Sequence, residues 1–93
     1  MTKTIWKFQL KTEDIQTIKM PKGSEVLTVQ TQYDQPVLWA IVNPNEEQKE
    51  NRVIEIFGSG NPLPESVSET RKYISTFQSL KGAFVGHVFE YLN

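Results

Sequence analysis

The sequence predicts an all-β, mainly antiparallel fold: a small sandwich or barrel-like sheet of about seven strands. Residues 4–10 alternate apolar and polar side chains, which is the period-2 pattern of a half-buried strand. Short runs rich in β-branched and aromatic residues then recur along the chain, separated by Gly, Pro, Asn and Asp. Residues 64–72 are the one candidate for a short helix, and an α+β arrangement around it is the alternative.

The chain is organised around a predicted β-hairpin at residues 25–43. Its arms read EVLTVQTQ and VLWAIVN, and the predicted loop comprises residues 33–36, YDQP. That loop pairs Gln32 with Val37 and Val29 with Ala40. The register predicts one core face and one mixed face, the latter able to meet a second layer or a partner. The core face carries Leu27, Val29, Leu38, Ala40 and Val42, and the mixed face is centred on Trp39 and Ile41.

Five further segments complete the prediction. Strands are expected at residues 4–10, 15–20, 52–57, 73–78 and 83–92. The strand at 15–20 has few apolar anchors and is expected at a sheet edge, with Lys19 as the charge that opposes edge pairing. Residues 43–51 read as a solvated loop. Gly86, inside the last strand, predicts a bulge or a close backbone approach.

Length and composition exclude several classes of protein. The chain has 93 residues, which predicts one domain, and a formal net charge of −1. That balance argues against general nucleic-acid binding or membrane-surface binding. Cysteine is absent, no signal-peptide pattern opens the chain, and no apolar run approaches the ~20 residues of a membrane span. We therefore expect a cytoplasmic protein, and a homo-oligomer would let so short a chain bury more surface.

The residues offer little for catalysis. His87 is the only histidine, and no recognised catalytic or phosphate-loop motif is present. We therefore expect no enzymatic activity, no cofactor and no metal. The preferred interpretation of His87 is a packed imidazole bonded to backbone or a neighbouring side chain. The alternative is a polar group that orients a ligand, beside Gly86. A hydrolase using His87 ranks last.

A glycine-containing loop follows the strand at 52–57. Its exposed backbone N–H groups could hold a phosphate as an anion nest, although an ordinary turn is the preferred interpretation. The candidate residues of this loop are Gly58, Ser59, Gly60 and Asn61.

Arginines and aromatic residues complete the candidate ligand site. Arg52 and Arg71 flank the glycine loop in sequence and could pair with phosphate, with surface ion pairs to Glu55 or Glu69 as the preferred alternative. Trp39 or Tyr73 would stack on a ring. The predicted ligand is a small anionic nucleotide.

Several segments resemble a family of small phage-encoded proteins, a domain of unknown function with LWA, G-[TS]-G and HVFE motifs. The segments are IWKFQL, MPKGSEVLTVQTQ, PVLWAIV, IFGSGNPLP, YISTFQ and HVFE, and they span nearly the whole chain. The chain departs from the family pattern at Ser24-Glu25 where Ala is usual, Ser59 for Thr, Asn61 for His, Ser75 for Gly and Gly86 for a bulky residue. Asn61 and Gly86 are the departures we most expect at a ligand contact.

The resemblance implies a phage or prophage origin. Small phage proteins without catalytic motifs are often counter-defence factors, and one class resembles a sponge, an oligomer that sequesters nucleotide-derived immune signals. The expected function is therefore binding and sequestration of such a molecule. The alternative is a protein-interaction factor that inhibits a host protein through the face carrying Trp39 and Ile41.

Overall fold

The computed structural model describes residues 2–92, and within them seven strands form two antiparallel sheets. The strands are β1 Thr4–Gln9, β2 Ile15–Pro21, β3 Glu25–Gln32, β4 Gln35–Val42, β5 Lys49–Gly58, β6 Arg71–Ser79 and β7 Phe84–Tyr91. A single turn of helix, α1 Val67–Thr70, lies in the region predicted for it, and a 3₁₀ turn spans Leu80–Gly82. The predicted mainly antiparallel β fold is confirmed. In this part of the chain no helix is long and apolar enough to cross a bilayer.

The order of the strands in the two sheets does not follow their order along the chain, since β2 belongs to the sheet of the later strands. One sheet has three strands in the order β1-β4-β3, and the other has four in the order β2-β5-β7-β6. Strand β2 lies at the edge of its sheet, as its weak apolar pattern predicted. The strands of residues 2–92 close no barrel, so the sandwich is the arrangement adopted.

The β3–β4 turn is shorter than predicted. Tyr33 and Asp34 alone form it, both with positive φ (53° and 64°), and Gln32 pairs directly with Gln35. The predicted loop at 33–36 and its register were therefore wrong by two residues. Two-residue turns with positive φ match the right-handed twist of the flanking strands, which favours this tight connection.

Most residues of the predicted core face are buried even though the register differs from the predicted one. Side chains alternate with period 2, so a shift of two residues leaves each one on its original face. Val29 now pairs with Leu38, and both are buried. Leu27 is the exception: the register shifts between Val26 and Thr28, so Val26 packs against the core and Leu27 is exposed.

The core lies between the two sheets and takes side chains from all seven strands or their ends. Its fully buried members are Leu10, Met20, Val29, Leu38, Ala40, Val42, Ile54, Ile56, Phe77 and Val88. Burial of each large aliphatic side chain stabilises the fold by about 1.5–3 kcal/mol. Trp6 shares the face of Phe8 in the alternating pattern of residues 4–10, but it stays partly exposed because β1 is an edge strand.

Two local predictions are refined by the structure. Strand β5 begins at Lys49, so the predicted loop at 43–51 is shorter, and Glu50 belongs to the strand, where it accepts a hydrogen bond from the Gly23 N–H. Gly86 faces the core, and a Cβ there would lie 2.7 Å from the ring of Phe77. The predicted close approach is thus confirmed, and it comes from this ring on the core side.

Candidate ligand pocket

An aromatic cluster lies on the outer face of the four-stranded sheet. Phe89 of β7 is flanked by Phe57 of β5, with ring centroids 5.7 Å apart, and by Tyr73 of β6, 5.5 Å away. Both neighbours meet Phe89 edge-on, at interplanar angles of 79° and 67°. These rings face outward because the alternate residues Ile56 and Val88 are buried in the core.

A bulge in β6 sets the position of Tyr73. The register of β6 against β7 shifts between Tyr73 and Ser75, so Tyr73 lies opposite Phe89 while Thr76 lies opposite His87. Strict alternation would put residues three apart on opposite faces, and the extra residue brings Tyr73 and Thr76 to the same one. Their hydroxyl oxygens are 2.7 Å apart.

His87 lies at the centre of a short chain of hydrogen bonds. Its Nε2 atom is 2.7 Å from Ser59 Oγ, and its Nδ1 atom is 2.9 Å from Thr76 Oγ1. A neutral imidazole has one donor and one acceptor nitrogen. A hydroxyl group can accept from the first or donate to the second, so both tautomers have their hydrogen bonds. His87 thus has the side-chain partners that the preferred interpretation expects, and its ring also faces the pocket.

These groups enclose a pocket of about 390 Å³ at the end of β5. Cavities that hold small ligands in proteins are typically about 300–1,000 Å³ and largely apolar, with a few polar groups. The walls here are mostly apolar, and Ser59, Asn61 and His87 add polar atoms. The lining residues are Phe57, Gly58, Ser59, Gly60, Asn61, Leu63, Tyr73, His87 and Phe89.

The glycine loop forms one end of this pocket and is held by its own backbone. The Ser59 N–H donates to the Val85 carbonyl (3.2 Å), and the Asn61 N–H donates to the Gly58 carbonyl (3.1 Å). Gly60 has φ +87°, which the turn requires. The loop therefore has the hydrogen bonds of an ordinary turn, and two of the donors considered for an anion nest are engaged within the protein.

Arg52 lies away from the pocket, at the end of the sandwich. Its Nε and Nη2 atoms bind the buried carboxylate of Glu90, and Nη1 reaches Glu50 (3.1 Å) and the Ser24 carbonyl (2.8 Å). The hydrogen bond that Arg52 donates to Glu90 raises the pKa of Arg52, although burial acts in the opposite direction. This arginine joins β5 to β7 and to the β2–β3 connection, in place of the surface pair to Glu55 or Glu69 that we expected.

Arg71 forms an ion pair with Glu55, one of the two partners expected from the sequence. The guanidinium binds both carboxylate oxygens, at 2.7 and 3.3 Å, and lies 4.7 Å from the centre of the Tyr91 ring. The hydrogen bond to Glu55 raises the pKa of Arg71. The side chains of Arg71 and Glu55 are 14% and 12% exposed, so the pair is more enclosed than a surface ion pair.

The structure brings six of the nine predicted site residues together and separates three. The loop residues 58–61, Tyr73 and His87 line the pocket, whereas Arg52 and Arg71 do not. Trp39 lies half-buried in β4, on the outer face of the other sheet. Sequence reasoning missed Phe57, Leu63 and Phe89. The period-2 alternation of residues 83–92 puts Phe89 on the same face as His87 and could have indicated it, but nothing local indicated Leu63.

Fold and pocket together define a small two-sheet antiparallel β protein with an aromatic-lined pocket on an outer face of one sheet. A family model described as a domain of unknown function, DUF7352, matches residues 1–93, and the chain belongs to that family. Searches of curated proteins and of solved structures give no match. The expected membership of a family of unknown function is confirmed, and the phage origin and the motif pattern stay predictions.

Proposed function

We propose that this protein is a non-enzymatic binding protein that holds a small nucleotide-derived molecule in the pocket beside His87. The observation that carries the proposal is a hollow of about 390 Å³ combining three aromatic rings with the polar side chains of Ser59, Asn61 and His87. Aromatic side chains stack on nucleobases, with about 1–3 kcal/mol per base. Polar groups at the same place bind the edge of the ring and give selectivity.

The proposed biological role is counter-defence. The resemblance to phage-encoded proteins motivates this role, in which the protein acts in the cytoplasm of the bacterial host. A protein that binds an immune signal without consuming it lowers the free concentration of that signal. We further propose a homo-oligomer, since Leu63 and Tyr73 are exposed at the pocket rim and a second copy would cover them.

The surroundings of His87 favour binding over turnover. Both hydrogen bonds of its ring within the described chain go to hydroxyl groups, those of Ser59 and Thr76. In a Ser-His-Asp triad a carboxylate orients the imidazole and stabilises its protonated form. The hydroxyl of Thr76 carries no such charge, which supports a structural or ligand-orienting role for this histidine.

Thermal unfolding with a panel of nucleotides tests the proposal. The panel contains linear and cyclic mono-, di- and oligonucleotides at about 1 mM, and a ligand at ~100-fold excess over Kd adds about 2.7 kcal/mol. We expect a rise in Tm for at least one compound. The rise should be smaller for Tyr73→Ala and unchanged for Tyr33→Ala, which alters the β3–β4 turn. Chromatography should recover that compound intact. No shift with any nucleotide rejects binding, and loss of the compound rejects the non-enzymatic assignment.

A second candidate function, inhibition of a host protein, has its own observation. Ile5 is 55% exposed and lies directly opposite Ile41 on the outer face of the three-stranded sheet, where Trp39 is two residues away along β4. Exposed apolar neighbours of this kind mark protein interfaces. Wild type should recover a host protein specifically, and Ile5→Glu should abolish that recovery. Tyr73→Ala is the matched control and should retain it. Equal recovery by wild type and Ile5→Glu rejects this candidate.

A further inference from the structure

We infer that the pocket recognises the uncharged base of its ligand and leaves the phosphate in solvent. This inference rests on the proposed function and names the part of the ligand that the protein contacts. Three independent features of the described residues support it: the charges near the pocket, the hydrogen bonds of the glycine loop, and the arrangement of the rings.

The pocket lining lacks the lysine and arginine side chains that commonly bind phosphate in proteins. None of its nine residues is Lys or Arg. Arg52 and Arg71 are already paired, with Glu90 and Glu55 respectively, through two nitrogen atoms each. Moving either guanidinium to a phosphate would leave a largely buried carboxylate without its partner, which is strongly unfavourable. A phosphate in this pocket would therefore meet neither a lysine nor an unpaired arginine.

Backbone donors do not replace the missing cation. An anion nest needs successive N–H groups that point at the ligand. In this loop the N–H groups of Ser59 and Asn61 donate to protein carbonyls, so the loop does not present a continuous row of donors. A hollow adjoining the pocket shares Phe57 and Asn61 with it and is lined by Asp14 and Glu55. The carboxylate of Asp14 makes that direction unfavourable for a phosphate as well.

A planar heterocycle suits the groups that are present. Phe57 and Tyr73 stand steeply on either side of Phe89, so aromatic carbon from three neighbouring strands borders the space. The side-chain amide of Asn61 presents a donor beside an acceptor, which is the pattern that pairs with the edge of a base. Ser59 and His87 add a hydroxyl and an imidazole to the same rim.

Calorimetric titration of the intact protein with matched probes tests the inference. The probes are the four ribonucleosides, their 5′-monophosphates and inorganic phosphate, each at low and high salt. For the preferred base we expect the nucleoside and its monophosphate to bind within about threefold, since a solvent-exposed phosphate adds little. We also expect less than about a twofold change in affinity between about 0.05 and 0.5 M NaCl. Inorganic phosphate should not bind.

Two outcomes of this titration contradict the inference and are distinguishable. A monophosphate that binds at least about tenfold more tightly than its nucleoside, with a strong loss at high salt, overturns base recognition while the proposed function stands. Failure of every base-containing probe, including the larger nucleotides of the thermal panel, overturns the proposed function and the inference together.

Substitutions at Tyr73 test which part of the ligand the protein recognises. Tyr73→Ala should weaken binding of nucleoside and monophosphate by the same factor, about tenfold, because it removes one aromatic wall. Tyr73→Phe, which retains the ring, should weaken binding less. Tyr33→Ala is the matched control, since Tyr33 is 93% exposed in the β3–β4 turn. A Tyr73→Ala variant with wild-type affinity for the nucleoside, and with an unchanged circular dichroism spectrum, overturns the inference.

Discussion

Ser75 and Val29 join the edges of the two sheets through one hydroxyl group. The Ser75 Oγ accepts a hydrogen bond from the Val29 N–H (2.8 Å) and donates to the Val29 carbonyl (2.7 Å). Both backbone groups of an edge residue in β3 are thereby satisfied by a side chain in the bulge of β6. The same bulge turns Tyr73 towards the pocket, so one irregularity serves both the sheet junction and the candidate site.

Ser75→Ala should therefore destabilise the protein. The substitution leaves the N–H and C=O of Val29 without partners in a partly buried place, which costs about 1–3 kcal/mol. Urea denaturation monitored by circular dichroism measures the change in the free energy of unfolding. Ser68→Ala, at an exposed position in α1, is the control and should change it by less than about 0.5 kcal/mol. Equal effects of the two substitutions would show that this hydroxyl does not join the sheets.

Gly86→Ala should lower stability through overpacking. The added methyl group would lie 2.7 Å from Phe77 Cε1 and 3.0 Å from Ile56 Cγ2, both in the core. Forced rearrangement in a packed core costs about 1–3 kcal/mol. The double variant Gly86→Ala/Phe77→Leu should recover part of that loss, because the smaller side chain frees space.

Gly58→Ala provides the comparison for Gly86→Ala. There the new methyl group would meet Asn61 Nδ2 at 3.1 Å, the end of an exposed side chain that can move. Its effect on the denaturation midpoint should be the smaller one. A Gly86→Ala variant as stable as wild type would contradict the close approach of Phe77.

Arg52→Met should destabilise strongly at neutral pH. The change leaves the buried Glu90 carboxylate without its guanidinium, and breaking a buried pair in this way costs about 3–5 kcal/mol. Replacing both partners, as in Arg52→Met/Glu90→Met, should restore much of the stability, since no unpaired charge is left. Guanidinium chloride denaturation of both variants and of Glu90→Met completes a double-mutant cycle. Additive effects would mean that the pair is not coupled.

The Arg52 contribution should not depend on pH in the alkaline range. Glu90 raises the pKa of Arg52 in the folded state above its ordinary value. A raised pKa means that the stabilisation is fully present below the unfolded-state value and is lost only as pH rises through the folded-state value. The stability difference between wild type and Arg52→Met should thus be the same at about pH 7 and about pH 10. A difference that shrinks over this range would contradict the assignment.

Tyr33→Asn should stabilise the hairpin. Tyr33 adopts φ +53° and is almost fully exposed, so it loses conformational freedom without packing in return. Asn adopts positive φ more readily and is favoured in turns of this kind, and we expect a gain of about 0.5 kcal/mol in thermal denaturation. Asp34→Ala should act in the opposite direction, because the Asp34 carboxylate accepts the Leu80 N–H. A destabilising Tyr33→Asn would indicate a contact of the tyrosine ring that the hairpin needs.

Local pattern was enough to predict the strands and most of the core. Alternation placed Leu38, Ala40 and Val42 on the buried face, and it stayed correct when the register moved by two residues. Gly86 likewise predicted a close approach, since only glycine lacks a Cβ. These features depend on the period of the backbone and on single residue types, both of which are visible in the chain itself.

Tertiary structure alone decided the register, the bulges and the partner of Arg52. Turn length near Asp34 and the bulges after Val26 and Tyr73 depend on how strands meet, and no local pattern specifies that. Arg52 and Glu90 lie 38 positions apart and were brought together only by strand pairing. The sequence by itself determined the class of fold and the alternation that puts His87 and Phe89 on one face of the last strand. Packing of distant segments determined which candidates form a pocket, because their proximity arises from long-range contacts.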